Sequence, residues 1–136
     1  MKVLIDTNIL IDILTDRGEF TKQSVSAVRQ CLLKSSEVFV TCSSVIDIMY
    51  ILRKELKSEV ITKDVIHNFL VSFSIADVLS EFVESAFDSD ISYFEDAVIS
   101  KTAEAVGASY IITRNKSDFI KSKIPAVTPV EFLDIR

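Results

Sequence analysis

The sequence predicts an α/β fold: a three-layer α/β/α sandwich around a central parallel sheet of roughly four to five strands. Strand-like and helix-like patterns alternate along the chain with short connections, which is how parallel strands joined by crossover helices read in sequence. Composition agrees. Of the 136 residues, 49% are hydrophobic, enough for a sheet covered on both faces, and two glycines and two prolines are too few for linkers or a loop-rich all-β fold. With no composition break and no internal repeat, the expectation is one domain spanning residues 1–136. Right-handed crossovers then place helices on both faces.

The elements follow in order. Residues 2–6 read as a first strand and 7–14 as a short helix. Residues 21–34 form a helical pattern with Val25, Val28 and Leu32 on one face. Residues 37–41 read as a second strand. Ser43 or Ser44 is expected to cap the next helix, whose Val45, Ile48, Met49, Leu52 and Leu56 form an amphipathic stripe. A helix capped by Thr62 runs to Val71, followed by a short strand over 73–77 and a helix over 78–88. Ser92 and Glu95 make a capping box for a helix over 92–106, ended by Gly107 in the left-handed position that glycine favours. Residues 109–113 are a strand, 126–128 an edge strand, and Pro129 opens a last helical turn.

Several function classes are excluded or weakened at once. No segment has the roughly 18–20 uninterrupted apolar residues of a membrane helix. Asp6 and Asp12 interrupt the apolar N-terminal run, so it does not read as a signal peptide. Cys31 and Cys42 have no C-x-x-C spacing, and reduced thiols in a cytoplasmic protein are the default expectation. One histidine, His67, on an amphipathic helix cannot found a zinc site or a nucleophilic triad. No glycine-rich phosphate loop is present.

Carboxylates at strand ends are what remain. Asp6 ends the first strand, and Asp47 lies one turn into the helix after the second. Asp96 lies one turn into the helix from Ser92, and Asp118 follows the 109–113 strand with Asn115 before it. All four fall at the carboxyl edge of the predicted sheet, where α/β folds bind ligands. Converging there, they would hold a hard cation such as Mg²⁺ or Mn²⁺ through oxygen. Two such ions about 4 Å apart activate water and stabilise the leaving oxygen in phosphodiester cleavage. Each acid has a structural alternative as well. Asp47 and Asp118 fit capping boxes led by Ser44 and Asn115, and Asp6 fits a helix cap. Asp96 is harder to explain that way, because Glu95 already fills the box and a helix packed on two ridges would bury an unpaired acid at a cost.

In combination, these segments resemble the PIN domain family: Ile5-Asp6-Thr7-Asn8, Ser43 to Asp47, Glu95-Asp96-Ala97, Ile112 to Phe119, and the tail from Ile124 to Leu133. The resemblance runs from the first strand to the last residues. It implies a Mg²⁺- or Mn²⁺-dependent ribonuclease, as in VapC-type toxins of type II toxin–antitoxin pairs. It also implies catalytic roles for Asp6, Asp47, Asp96 and Asp118, with Asp6, Asp96 and Asp118 as metal ligands. Asn8, Thr113 and Asn115 are the implied supporting polar residues, Asn8 orienting Asp6. One departure stands out: the family usually has glutamate where this chain has Asp47, one methylene shorter. That motivates a second reading, a catalytically weak or inactive PIN-like module that binds RNA or protein. A phosphoryl-transfer domain is a third reading, weakened because Asp6-Thr7-Asn8 lacks the second aspartate of D-x-D phosphatases.

An RNA substrate needs cations to meet its phosphates. Arg114 and Lys116 beside Asn115 are the first candidates, with Arg17 in the loop after the first helix. Arg53, Lys54 and Lys57 read as a solvated helix face. The net charge of −5 is no bar, because clustered acids count as negative until a cation loads them. The 9–14 helix, apolar nearly all round, is either core or a surface for a partner. The resemblance tips it toward a homodimer and a small antitoxin protein.

Overall fold

Lys2–Ile5 forms β1, and its central place in the sheet organises the rest. The computed structural model describes residues 1–34 and 36–135; Ser35 and Arg136, inside the predicted domain, lie outside the described residues. After β1 come α1 (Thr7–Leu14), α2 (Glu19–Leu33), β2 (Glu37–Thr41), α3 (Cys42–Leu56), α4 (Glu59–Phe69) and β3 (Ser74–Ala76). There follow α5 (Ser80–Ala86), α6 (Phe94–Val106), β4 (Tyr110–Ile112), β5 (Ala126–Val127) and α7 (Pro129–Leu133). Two 3-10 turns, Leu70–Ser72 and Lys116–Phe119, complete the path. The five strands are all parallel, in the order β3-β2-β1-β4-β5, as the alternation predicts.

Strand side chains alternate between faces, and this sheet is apolar on both. Val3, Ile5, Val38, Val40 and Ile112 point to one face, where they pack with residues of α1, α2, α3 and α7. Leu4 and Ile111 point to the other, against Ile99 and Ala103 of α6 and Phe119 of the second 3-10 turn. The result is three layers. Leu4, Ile5, Ile111 and Ile112 are wholly buried, each worth roughly 1.5–3 kcal/mol by transfer from water. Among the described residues, no helix is long and apolar enough to cross a membrane.

Caps account for most departures from expectation. Thr41, not Ser43 or Ser44, caps α3: its hydroxyl accepts the Ser44 N–H at 3.0 Å. Ser58, not Thr62, caps α4, and Thr62 is buried with its hydroxyl donating to the Ser58 carbonyl at 2.6 Å. α6 starts at Phe94 with no side-chain cap, so the Ser92–Glu95 box does not form. Thr128 and Glu131 form a full capping box on α7 instead. Gly107 takes the left-handed position after α6, as expected.

Candidate active site

Strand order places the site. From β1 the chain steps outward to β2 and β3 on one side, then returns to lay β4 and β5 on the other. The carboxyl ends of β1 and β4 therefore flank the switch point, where α/β sheets open a crevice. Asp6 follows β1 and Thr113 follows β4. They meet across the gap, the Thr113 hydroxyl donating to Asp6 Oδ2 at 2.8 Å. Asp6 Oδ1 accepts the Thr7 N–H at 2.8 Å, so this residue is the cap of α1 as well. The Asn115 N–H donates to the Thr113 hydroxyl at 3.0 Å, which leaves that hydroxyl's proton for Asp6. Burial raises the Asp6 pKa above the usual carboxylate range, against the two hydrogen bonds and the nearby Arg114 charge; the charge of Asp118 raises it further.

Asp96 occupies the third position of α6. A helix N-terminus favours a negative charge there, yet the Asp96 carboxyl is pushed up to about 7. Burial is the largest cause, followed by the charges of Asp6, Asp118 and Glu95. Asp118 lies in the 3-10 turn after β4, half-buried, its N–H donating to the Asn115 carbonyl at 3.0 Å. Three elements thus bring Asp6, Asp96 and Asp118 within mutual electrostatic reach. Among the described residues, no three acidic, histidine or cysteine side chains close on a single point at ligating distance. The donor chemistry nevertheless fits a divalent cation: hard carboxylate oxygens, those of Asp6 and Asp96 made more basic by burial and by neighbouring charge.

The other expected residues fall into two groups. Thr7 and Ser44 share a 2.6 Å hydroxyl bond, and Thr41 donates to Ser44 at 2.8 Å, tying the start of α3 to the turn at Asp6. Asp47, one turn further along α3, is exposed and is not among the charges acting on Asp6 or Asp96. Asn8 reaches the Arg114 N–H at 3.5 Å, so Thr113, not Asn8, is what orients Asp6. Lys116 pairs with Glu131 at 2.8 Å on the surface, and Arg17 is exposed in the loop after α1.

Arg114 has a structural partner that the sequence reading did not anticipate. Its expected role was to meet phosphate, but its Nε donates to Asp12 Oδ2 at 2.7 Å and its guanidinium lies 4.4 Å from the centre of the Phe20 ring. Asp12 is wholly buried, takes a second, longer bond from Ser24 at 3.3 Å, and leaves Oδ1 without a partner among the described residues. Sequence reasoning passed over Asp12 except as a break in an apolar run. The signal was there: an acid inside a helix apolar nearly all round must find a cation or a donor.

Comparisons with known proteins agree with this geometry. The sequence profile described as PIN domain matches residues 2–117. Ribonuclease VapC1 of Aquifex aeolicus (strain VF5) is 26% identical over 136 residues, covering 98% of this chain and 94% of its own. A solved toxin-antitoxin complex from Klebsiella pneumoniae contains a chain 26% identical with TM-score 0.66, over 93% of this chain and 97% of that one. A chain in the crystal structure of VapBC2 from Rickettsia felis bound to a promoter DNA fragment superposes with TM-score 0.70 at 15% identity, over 94% and 98% of the two chains, which speaks for the fold alone. A match across so much of the sequence, together with a five-stranded parallel sheet carrying acids at its switch point, establishes that the chain belongs to the PIN domain family.

Proposed function

We propose that this chain is a Mg²⁺- or Mn²⁺-dependent endoribonuclease, acting as the toxin of a type II toxin–antitoxin pair in the cytoplasm. The observation that carries the reading is that Asp6 after β1, Asp96 in the first turn of α6 and Asp118 in the 3-10 turn after β4 come within electrostatic reach of one another at the switch point. Family membership, the ribonuclease name of the Aquifex relative and the toxin–antitoxin setting of the Klebsiella one support it. Asp6, Asp96 and Asp118 are the proposed ligands, and Thr113 holds Asp6 in orientation. A bound divalent ion supplies acidified water and charge neutralisation at the phosphate. Asp47, in the second turn of α3, is the proposed fourth catalytic acid.

An antitoxin and a second copy of the chain are the proposed protein partners. A groove of about 390 Å³ lined by Ile13, Val28, Leu32, Phe69 and Phe73 offers apolar surface to such a partner. The exposure of Asp47, shorter than the usual glutamate, favours the alternative of a catalytically weak PIN-like module that binds RNA or protein. Cleavage assays on single-stranded RNA decide between them. Hydrolysis that requires Mg²⁺ or Mn²⁺ and disappears in Asp6→Asn and in Asp96→Asn is the expected result. Equal cleavage by both variants would sink the nuclease reading.

A further inference from the structure

Beside Asp118 runs a cleft of about 280 Å³, between the loop that leads into α6 and the 3-10 turn after β4. Its walls are unlike each other. Ile91, Tyr93 and Ile120 supply apolar and aromatic surface, with Tyr93 58% and Ile120 83% exposed. Lys121 and Asp90 supply charge. A second cleft of about 340 Å³ shares Asp90, Ile91 and Lys121 with the first and continues to Lys101 and Lys123. The two form one groove leading away from the acidic site.

Tyr93 is held in place. It directly precedes α6, its carbonyl accepts the Ala97 N–H at 3.0 Å, and the next residue, Phe94, packs at a tilt against Phe87 with 4.9 Å between ring centres. That contact ties the end of α5 to the start of α6 and braces the loop between them. The cations are unequal as well. Arg114 is committed to Asp12 and Lys116 to Glu131, whereas Lys121 makes no salt bridge among the described residues. An exposed aromatic ring on a braced backbone, in one cleft with a lysine that makes no salt bridge among the described residues, is the chemistry that takes an unstacked base and its phosphate.

We propose that this groove is a nucleotide subsite for single-stranded RNA, with a base stacked on Tyr93 and the adjoining phosphate on Lys121, leading the strand to Asp118. The placement rests on the nuclease reading of the acidic site; base stacking itself does not. A stacking contact tolerates any base, so Tyr93 sets a preference for unpaired RNA over duplex rather than for a sequence.

The test measures binding and cleavage in parallel. A labelled single-stranded RNA oligonucleotide is titrated with the full chain in EDTA by fluorescence anisotropy, and its cleavage is followed separately with Mn²⁺. Tyr93→Ala is expected to weaken binding about 5- to 20-fold, and Tyr93→Phe, which keeps the ring, to stay within about twofold. Lys121→Ala is expected to reduce the slope of log affinity against log salt by about 0.7. Wild-type affinity in both Tyr93→Ala and Lys121→Ala, in a chain that still cuts RNA, overturns the subsite and leaves the nuclease standing. Tyr93-dependent binding without cleavage in Mg²⁺ or Mn²⁺ overturns the nuclease and leaves the subsite. A chain that neither binds nor cuts RNA overturns both.

Discussion

Asp12 and Arg114, 102 residues apart in sequence, join α1 to the loop after β4 through a 2.7 Å bond in which the carboxylate is wholly buried and the guanidinium mostly so. Burying a carboxylate is costly, and breaking such a pair by removing one partner is worse than never having built it. Arg114→Ala is therefore expected to destabilise the fold by roughly 3 kcal/mol in urea unfolding, because Asp12 is stranded. The double variant Asp12→Leu with Arg114→Leu is expected to lose clearly less than Arg114→Ala. Additive losses across the cycle would show that the pair is not coupled.

Among the described residues, Thr113 is the only side chain that hydrogen-bonds Asp6. Thr113→Val keeps the shape and removes the hydroxyl, freeing Asp6 Oδ2 and leaving the Asn115 N–H without its acceptor. Outer-shell contacts of this kind are typically worth about 10- to 100-fold in metal affinity or activity. The expected result is a loss of that size in both cleavage rate and Mn²⁺ affinity, with Thr113→Ser close to wild type. Calorimetric titration with Mn²⁺ checks the second half independently of activity.

Asp96 makes stability depend on pH in an unusual direction. Its carboxyl sits at about 7 in the folded protein, above its ordinary value of 3.8. Between these values the folded chain holds a proton that the unfolded chain has released. The resulting stabilisation is fully present below about pH 3.8 and is lost as pH rises through about 7. Because Asp96 is only half-buried, solvent screening reduces the effect to the order of 1 kcal/mol. In the metal-free chain, Asp96→Asn is expected to be more stable than wild type at pH 8, with the advantage shrinking toward pH 4. Thermal melts across that range test it, and a constant difference would count against the burial and repulsion that raise the Asp96 carboxyl. Adding Mn²⁺ is expected to raise the melting temperature of wild type at pH 8 more than that of Asp96→Asn.

Asp47 stands on an α3 whose start is tied to the Asp6 turn, but its carboxylate is exposed. Asp47→Glu lengthens the side chain by one methylene. A several-fold rise in the rate of RNA cleavage at fixed Mn²⁺ is expected, with no change in unfolding midpoint. A rate equal to or below that of wild type would mean that length at this position does not limit the chemistry.

Much of this was readable from the residues. The parallel sheet follows from alternating apolar strands and amphipathic helices, and Asp6, Asp96 and Asp118 follow from their places at element boundaries. Helix caps were less legible, because Thr41, Ser43 and Ser44 are chemically equivalent candidates and only the turn geometry chooses among them. Glu95 fits a capping box in sequence, but the backbone enters α6 two residues after Ser92, out of phase with the box. The Arg114 ion pair was not legible for a different reason. Its partner is remote in sequence, and nothing local distinguishes an arginine aimed at a phosphate from one aimed at a buried acid.

The Asp6–Thr113 contact also has a consequence in time. Its two halves are separated by 107 residues, and Asp118 comes later still. On the ribosome, a chain that has not yet exposed β4 carries Asp6 with no hydroxyl to orient it and no Asp118 beside it. Under the nuclease reading, the site is incomplete until residue 118 has been made and β4 has paired with β1. Chains truncated before residue 110 are expected to lack RNA cleavage altogether, and activity in such a fragment would refute this order of events.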